Sequence, residues 1–367
     1  MTTIYLIRHA EAEGNLYRIA QGQGNSNLTE RGWRQVQALE RRFRDIPIDA
    51  VYASDLYRTC ATASAVYKSK GLPLNRRTDL REIGVGCWEH QTWGEICRTH
   101  PQEMEHFSHK PSLWSVDGGE SPSVVLERVR RAVTEIAAEN EGRTVAVFSH
   151  GYAIRLLLGA LEGCALDDLD KTPTGDNTAV SCLAWEDGKL RVVFRDDTAH
   201  LKTPEFLAEE KGFKRAHALE PGLWFRPPVT VEEQAVFAEL AGDLWVESGE
   251  KRAFSRETLL SDAAGRTTLL GYLRETPVGL VQLEPDAGRI TYLYIKEERR
   301  KQGFGAQLIG QAVQHTRAAG GSALRAAVRP GSAAQQFLAE YGFHPTETAA
   351  DGRTVMEKDI AFDPEFL

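Results

Sequence analysis

The chain opens on an apolar run, Ile4-Tyr5-Leu6-Ile7, that stops abruptly at Arg8-His9. That pattern predicts a buried strand whose end releases a polar pair. The same grammar recurs at Thr144-Val145-Ala146-Val147-Phe148, which stops at Ser149-His150-Gly151, and a shorter strand is predicted from Ala50 to Ala53. Helical periodicities lie between these strands. Thr29 stands where it can cap a segment with an apolar face of Trp33, Val36, Leu39 and Phe43, and Asp55 to Thr59 opens another helix. Ser121-Pro122 reads as an N-cap followed by proline at the first helical position. Strands alternating with helices predict an α/β unit with a mixed or mostly parallel sheet covered on both faces.

After Leu201 the pattern changes. Lys202-Thr203-Pro204 begins a polar connection, rich in Glu and Lys, with room for a short helix, and Pro221-Gly222 marks the start of a new unit. The expected partition is residues 1–204, a linker at 205–221 and a second unit at 222–360. In that second unit Leu223 to Arg226 reads as a strand, and Thr230-Val231-Glu232-Glu233 is a capping box that opens an amphipathic helix. Thr267 to Arg274, a turn at Glu275-Thr276-Pro277, Val278 to Leu283 and Arg289 to Ile295 then form an antiparallel meander. It leads to Arg299-Arg300-Lys301-Gln302-Gly303-Phe304-Gly305-Ala306 and a helix rich in small and apolar residues. At 367 residues the chain exceeds what one hydrophobic core usually serves, in keeping with two domains.

Composition narrows the function classes. The chain is 42% hydrophobic and 26% charged, with a net charge of −8. The first 204 residues hold 25 basic against 28 acidic side chains and the remainder 19 against 24, so neither part offers a basic nucleic-acid surface. No apolar run approaches the ~18 residues of a membrane span, and the first residues run into a strand without a leader pattern. A cytosolic protein is expected, and nothing in the pattern speaks to its oligomeric state. The five cysteines form no CxxC pair, so reduced thiols are expected. His100, His106 and His109 lie near Cys87 and Cys97 without the spacing of a zinc site, so no metal is expected.

Ligands of open α/β sheets sit outside the carboxyl ends of the strands. There Arg8, His9 and His150, joined by Arg58 and Glu82, could close on one phosphoryl group. Phosphoryl transfer asks for position and charge compensation, and the arginine fork meets phosphate oxygens bidentately. With Glu13-Gly14-Asn15, Gln21-Gly22 and Gly119-Glu120-Ser121 added, the set resembles the histidine phosphatase superfamily, which includes the cofactor-dependent phosphoglycerate mutases, over residues 1 to 204. The resemblance implies a three-layer α/β/α fold and catalysis by His9, Glu82, Arg8, Arg58 and His150 on a small phosphomonoester, without cofactor. His9 would be the nucleophile that becomes phosphohistidine, its other ring nitrogen held by a backbone carbonyl. Glu82 would protonate the leaving alkoxide and then take a proton from water, while Asn15, Gln21 and the Gly22 backbone bind substrate. The segment between Glu82 and Gly119 is short and lacks the basic insertion of a mutase, so it resembles the family's small phosphatases.

The glycines at 303 and 305 would let backbone approach an anion, and the first turn of the following helix would aim N–H groups at it. The site is no dinucleotide fingerprint, because Leu308 stands at the third glycine, and no P-loop, because no Gly-Lys-Ser/Thr follows. Arg300-x-x-Gly303-x-Gly305 after an antiparallel meander, with Ala334 to Phe343 later, resembles the GNAT superfamily of acyl-CoA-dependent N-acyltransferases over residues 222 to 360. That resemblance implies a mixed, largely antiparallel sheet flanked by helices, and acetyl-CoA held by Tyr294, Ile295, Arg300, Gln302, Gly303, Phe304, Gly305 and Ala306, with an amine as acceptor. Leu338 replaces a tyrosine that protonates the leaving thiolate in many members, Gly331 replaces a frequent asparagine, and Tyr341 lies nearly a turn away. A bifunctional enzyme is therefore expected. The alternatives are a phosphatase carrying a non-catalytic acyl-CoA-binding or interaction module, and a phosphoglycerate mutase.

Overall fold

The computed structural model describes residues 1–210, 222–248 and 265–367. A six-stranded sheet is built from β1 (Thr2–Arg8), β2 (Ala50–Ser54), β3 (Leu74–Arg77), β4 (Thr144–Ser149), β5 (Val180–Glu186) and β6 (Lys189–Asp197), in the order β3-β2-β4-β1-β5-β6. The four strands from β3 to β1 run parallel, and the β5–β6 hairpin joins antiparallel to β1. Between the strands come α1 (Glu13–Tyr17), α2 (Glu30–Phe43), α3 (Tyr57–Lys70), α4 (Trp93–Thr99), α5 (Pro101–His109), α6 (Pro122–Glu139) and α7 (Gly151–Leu161). Side chains alternate faces along a strand. Ile4, Leu6, Val145 and Val147 therefore pack against α6 and α7, while Ile7, Ala146 and Phe148 pack against α2 and α3. Central strands buried on both faces must be apolar at every position, and so β1 and β4 read as continuous runs. The result is the three-layer α/β/α arrangement expected.

Local chemistry sets the helix starts. Thr29 Oγ1 accepts from the Gly32 amide at 3.0 Å, and Ser121 is the N-cap of α6 without a capping side-chain bond. A short helix, α8 (Pro204–Glu209), follows β6, and residues 211–221, most of the expected linker, lie outside the described residues.

A second sheet of seven strands follows: β7 (Trp224–Arg226), β8 (Thr267–Leu273), β9 (Thr276–Glu284), β10 (Arg289–Ile295), β11 (Ala323–Val328), β12 (His344–Thr348) and β13 (Thr354–Asp359), ordered β12-β13-β11-β10-β9-β8-β7. Among the described residues three helices accompany it, α9 (Val231–Ser248), α10 (Phe304–Ala318) and α11 (Ala333–Glu340). The capping box forms: Glu233 Oε2 accepts from the Thr230 amide at 2.9 Å and Thr230 Oγ1 from the Glu233 amide at 3.2 Å. The β8–β9 turn falls at Arg274-Glu275, earlier than Pro277, because Arg274 takes the left-handed conformation at φ 54°. Every pairing in this sheet is antiparallel except β10 with β11. That parallel pairing covers only Arg289 with Arg325 and Ile290 with Ala326, so the sheet opens beyond it towards Ile295.

The two halves are packed into each other. Tyr17 of α1 is 2% exposed and belongs to the same core as Leu308, Ile309 and Val313 of α10. A Cβ on Gly310 would stand 2.5 Å from Tyr17 Cβ, so only glycine permits this helix crossing. At the far end of α10, Arg317 grips Glu13 through two hydrogen bonds of 2.6 and 3.0 Å. The C-terminal tail then returns to the first sheet, where Phe362 and Phe366 meet Tyr57 edge-on at 5.1 and 5.7 Å. Among the described residues no helix is long and apolar enough to cross a membrane.

Candidate active site

Parallel pairing of β1 with β4 aligns Arg8 with Ser149, so the next residues, His9 and His150, leave the same sheet edge side by side. Their rings lie 5.3 Å apart. His9 is 5% exposed, and its Nδ1 lies 2.7 Å from the Ala10 carbonyl. A carbonyl can only accept, so Nδ1 carries the proton and the Nε2 lone pair is left for chemistry. Burial, reinforced by Arg58 and Arg8, holds the pKa of His9 well below the ordinary imidazole range, so the ring is neutral at physiological pH. His150 is fully buried, with its pKa likewise depressed, first by burial and then by Arg58. Its Nε2 shares a 2.9 Å hydrogen bond with Ser54 Oγ, and its Nδ1 has no partner among the described residues. If the Ser54 hydroxyl donates, Nδ1 is an unspent donor.

Both arginines are fixed by backbone carbonyls. Arg58, 2% exposed, donates to Gly24 and Gly22 oxygens at 2.9 and 2.8 Å, and Arg8 donates to the Gly175 oxygen at 2.5 Å. Burial lowers the Arg58 pKa to about 10, which leaves the guanidinium charged at neutral pH. Gly151 lies beneath Arg8, where an added Cβ would come within 3.0 Å of Arg8 Nε. Glu82 faces the start of α7. Its carboxylate accepts from the amides of Ile83, Tyr152 and Ala153, each at 3.0 Å, which orients it at the helix N-terminus. Asn15 Oδ1 accepts from the Ala12 amide at 3.0 Å and from Asn177 at 3.3 Å, leaving its NH2 as the donor end. Gln21 Oε1 accepts from Ser26 Oγ at 2.7 Å.

A cleft of about 480 Å³ joins these groups: Arg8, His9, Asn15, Gln21, Arg58 and Glu82 all line it. Gly22 and His150 are not among its lining residues, and the amide expected at Gly22 for substrate is spent elsewhere. The Gly22 N–H is taken by Glu89 Oε2 at 3.1 Å, and Glu89 also accepts from the Gln23 and Gly24 amides at 2.6 and 3.4 Å. A carboxylate at the centre of this loop turns the carbonyls of Gly22 and Gly24 towards Arg58. Gly22 thus braces an arginine. Three further side chains were missed from the sequence for one reason: Glu89, Ser54 and Arg128 act through other groups. Arg128 donates to the carbonyls of Asp79, Arg81 and Glu82 at 3.1, 2.6 and 2.8 Å and to both oxygens of Glu120. Nothing in its sequence neighbourhood separates it from a solvated charge.

The segment between Glu82 and Gly119 closes one side. Trp88 and Trp114 are core residues, 0% and 3% exposed, whereas Trp93 and Phe107 line the cleft. His109 pairs with Asp170 at the surface, and His100 meets Trp88 edge-on.

In the second sheet the strand–turn–helix segment from Tyr294 to Ala306 flanks the opening between β10 and β11. Gly303 is the N-cap of α10 at φ 86°, with no capping side chain, so the first-turn amides from Phe304 to Ala306 have no intrahelical acceptor. Arg300 donates to the Ile295 carbonyl at 3.0 Å and sits over the Tyr294 ring at 5.4 Å. The side chains of Tyr294, Ile295, Phe304 and Ala306 are buried, so this segment offers a ligand backbone more than side chains. Gly305 has a packing reason of its own, since a Cβ there would press on the Phe337 ring at 2.7 Å. Leu338 is 4% exposed, and Tyr341 packs on Phe337.

A family profile described as histidine phosphatase superfamily, branch 1, matches residues 4–198, and one described as an acetyltransferase (GNAT) domain matches residues 233–355. The chain is 29% identical over 201 residues to phosphoserine phosphatase 1 of Hydrogenobacter thermophilus, a match spanning 55% of this chain and 95% of that one. It is 37% identical over 161 residues to bifunctional protein Rv2228c of Mycobacterium tuberculosis, covering 43% of each chain. Among solved structures, YhfR of Bacillus stearothermophilus superposes with a TM-score of 0.54 at 33% identity, over 55% of this chain and all of that one. The chain belongs to branch 1 of the histidine phosphatase superfamily and carries, fused behind that part, an acetyltransferase domain of the GNAT type.

Proposed function

We propose that residues 1–204 hydrolyse small phosphomonoesters through a phosphohistidine at His9, and that residues 222–360 transfer an acetyl group from acetyl-CoA to an amine. The observation that carries the first half is the Nδ1 bond of His9 to the Ala10 carbonyl, in a site with two clamped guanidiniums. His9 Nε2 attacks phosphorus, the ester P–O bond breaks, and the leaving alkoxide takes a proton from Glu82. Water then gives a proton to Glu82 and its oxygen to phosphorus, the N–P bond breaks, and orthophosphate leaves with His9 neutral again. Arg8, Arg58, His150 and the Asn15 amide stabilise the equatorial oxygens during both steps. Hydrolysis of an aryl phosphate by the wild type and its loss in His9→Ala test this half, and interconversion of phosphoglycerates in place of hydrolysis would turn the reading to a mutase.

For the second half, coenzyme A would present its pyrophosphate to the amides from Gln302 to Ala306 and its pantetheine arm to the opened edge at Tyr294 and Ile295. The uncapped start of α10 and the splay of β10 from β11 support that fit. Buried Leu338 favours a second reading, a domain that binds acetyl-CoA without turnover. Thiol release from acetyl-CoA across a panel of amines separates the two.

A further inference from the structure

One short segment before β5 reaches three of the groups that face the phosphoryl site. Gly175, at φ 59°, offers its carbonyl to Arg8 at 2.5 Å. Two residues on, Asn177 Nδ2 donates to the His9 carbonyl at 3.0 Å and to Asn15 Oδ1 at 3.3 Å, and the Thr178 amide donates to the same His9 carbonyl at 3.3 Å. Neither Asn177 nor Thr178 lines the cleft, so each acts there only through other residues. The contact to Asn15 decides what that side chain can do. An amide can meet a ligand with its oxygen or with its NH2. The Ala12 amide at 3.0 Å and Asn177 take both acceptor positions of Asn15 Oδ1, so the NH2 is the end left for phosphoryl oxygens.

A second observation shows what holds the segment. Thr178 is fully buried in the left-handed conformation at φ 61°, which a β-branched residue rarely adopts. Such an outlier persists only where its surroundings over-determine it. Here they do. Arg42 of α2 donates to His200 Nδ1 at 3.2 Å, and a guanidinium can only donate, so the proton of His200 sits on Nε2. Burial keeps that ring neutral, lowering its pKa to about 4. Nε2–H donates to Thr178 Oγ1 at 3.0 Å, and the Thr178 hydroxyl donates to the Asn177 carbonyl at 2.7 Å. Arg42 is tied in turn to Asp197 at 2.6 Å. Every proton in this chain from α2 to Asn177 has one direction.

We infer that Asn177 and His200 are positioning residues of the phosphatase site. Asn177 sets which end of the Asn15 amide meets the phosphoryl group and fixes the peptide of His9. His200, acting through Thr178, locks Asn177 in that place. This inference rests on the proposed phosphatase reading and adds to it residues that touch no substrate.

The test is a double-mutant cycle in the full-length protein. Asn177→Ala lowers kcat and kcat/KM for an aryl phosphate together, on the order of tenfold, because the Asn15 contact strengthens as charge spreads over the equatorial oxygens. In an Asn15→Ala background the same substitution costs no more than about threefold, the part that passes through His9. His200→Ala lowers kcat on the order of tenfold well below its denaturation midpoint, whereas a purely structural histidine would lower the midpoint alone. His200→Gln, whose amide can accept from Arg42 and donate to Thr178, stays within about threefold of the wild type. Should His200→Ala not fold, Thr178→Val breaks the same link and carries the same expectation. Calorimetric binding of orthovanadate, whose five-coordinate adduct mimics the transferred group, reads these ratios without turnover. The expected vanadate ratios in a protein that hydrolyses no phosphomonoester would keep the positioning residues and sink the phosphatase reading. Hydrolysis with additive Asn15 and Asn177 effects, or with kcat unchanged in either Asn177→Ala or His200→Ala, overturns the inference and leaves the phosphatase reading standing. A wild type that neither hydrolyses nor binds vanadate removes both.

Discussion

The two candidate sites are built in opposite ways. The cleft at the edge of the first sheet gathers side chains from stretches far apart in the chain, held by second contacts: His9 by Ala10, Arg58 by Gly22 and Gly24, Glu82 by the start of α7. The segment before α10 uses one continuous turn and offers backbone amides from a glycine N-cap. A side-chain site fails one function at a time when mutated, whereas a backbone site fails only when the path of the main chain or the space above it is altered.

The largest expected effect follows from that contrast. His9→Ala removes the proposed nucleophile and should lower phosphomonoester turnover by roughly a thousandfold or more, read as kcat on an aryl phosphate. Turnover within tenfold of wild type would dissolve the side-chain half of the comparison. Tyr17→Ala tests where the halves meet: it empties a buried aromatic site against Gly310 and costs about 3 kcal/mol, seen as a lower denaturation midpoint. An unchanged midpoint would mean the halves merely touch. Gly303→Glu brings a carboxylate and a strained left-handed residue into the proposed coenzyme A site, and should weaken coenzyme A binding on the order of a hundredfold in calorimetry. Phosphatase kcat/KM should hold within about twofold, because Gly303 lies at the opposite end of α10 from Arg317, some 20 Å away at 1.5 Å per residue.

Glu89→Gln sharpens the first half of the comparison. One glutamine oxygen cannot accept from the amides of Gly22, Gln23 and Gly24 as two carboxylate oxygens do, so the carbonyls that hold Arg58 loosen. A fall in kcat/KM on the order of tenfold is expected.

The smallest effect is on stability against pH. Burial lowers the His200 pKa from 6.5 to about 4, so the unfolded chain takes up a proton that the folded chain refuses. Stability is complete above pH 6.5 and declines as pH falls towards 4, by about 1 kcal/mol between pH 7 and 5.5 from this group alone. His9 and His150 add in the same direction. Denaturant midpoints flat across that interval would contradict the assignment.

Much of this was legible from residue pattern, for reasons that also explain the gaps. β1 and β4 announce themselves because central strands are apolar at every position. β3, with Leu74-Asn75-Arg76-Arg77, and β12, exposed throughout, lie at sheet edges where little apolar burial is needed. Residues that would touch phosphate stand out by type, since an arginine or histidine at a strand end is rarely there for packing. Glu89, Arg128 and Ser54 hold other residues and look like any surface polar group in sequence. Tyr17 against Gly310 depends on two positions nearly three hundred residues apart, each unremarkable alone.

The central claim is a covalent one, and it can be read directly. Wild-type protein quenched during turnover of a phosphomonoester and kept under alkaline conditions should carry one phosphoryl group, acid-labile and located at His9 by peptide mass spectrometry. Full turnover with His9 unmodified, or with the phosphoryl group on any other residue, would contradict the account.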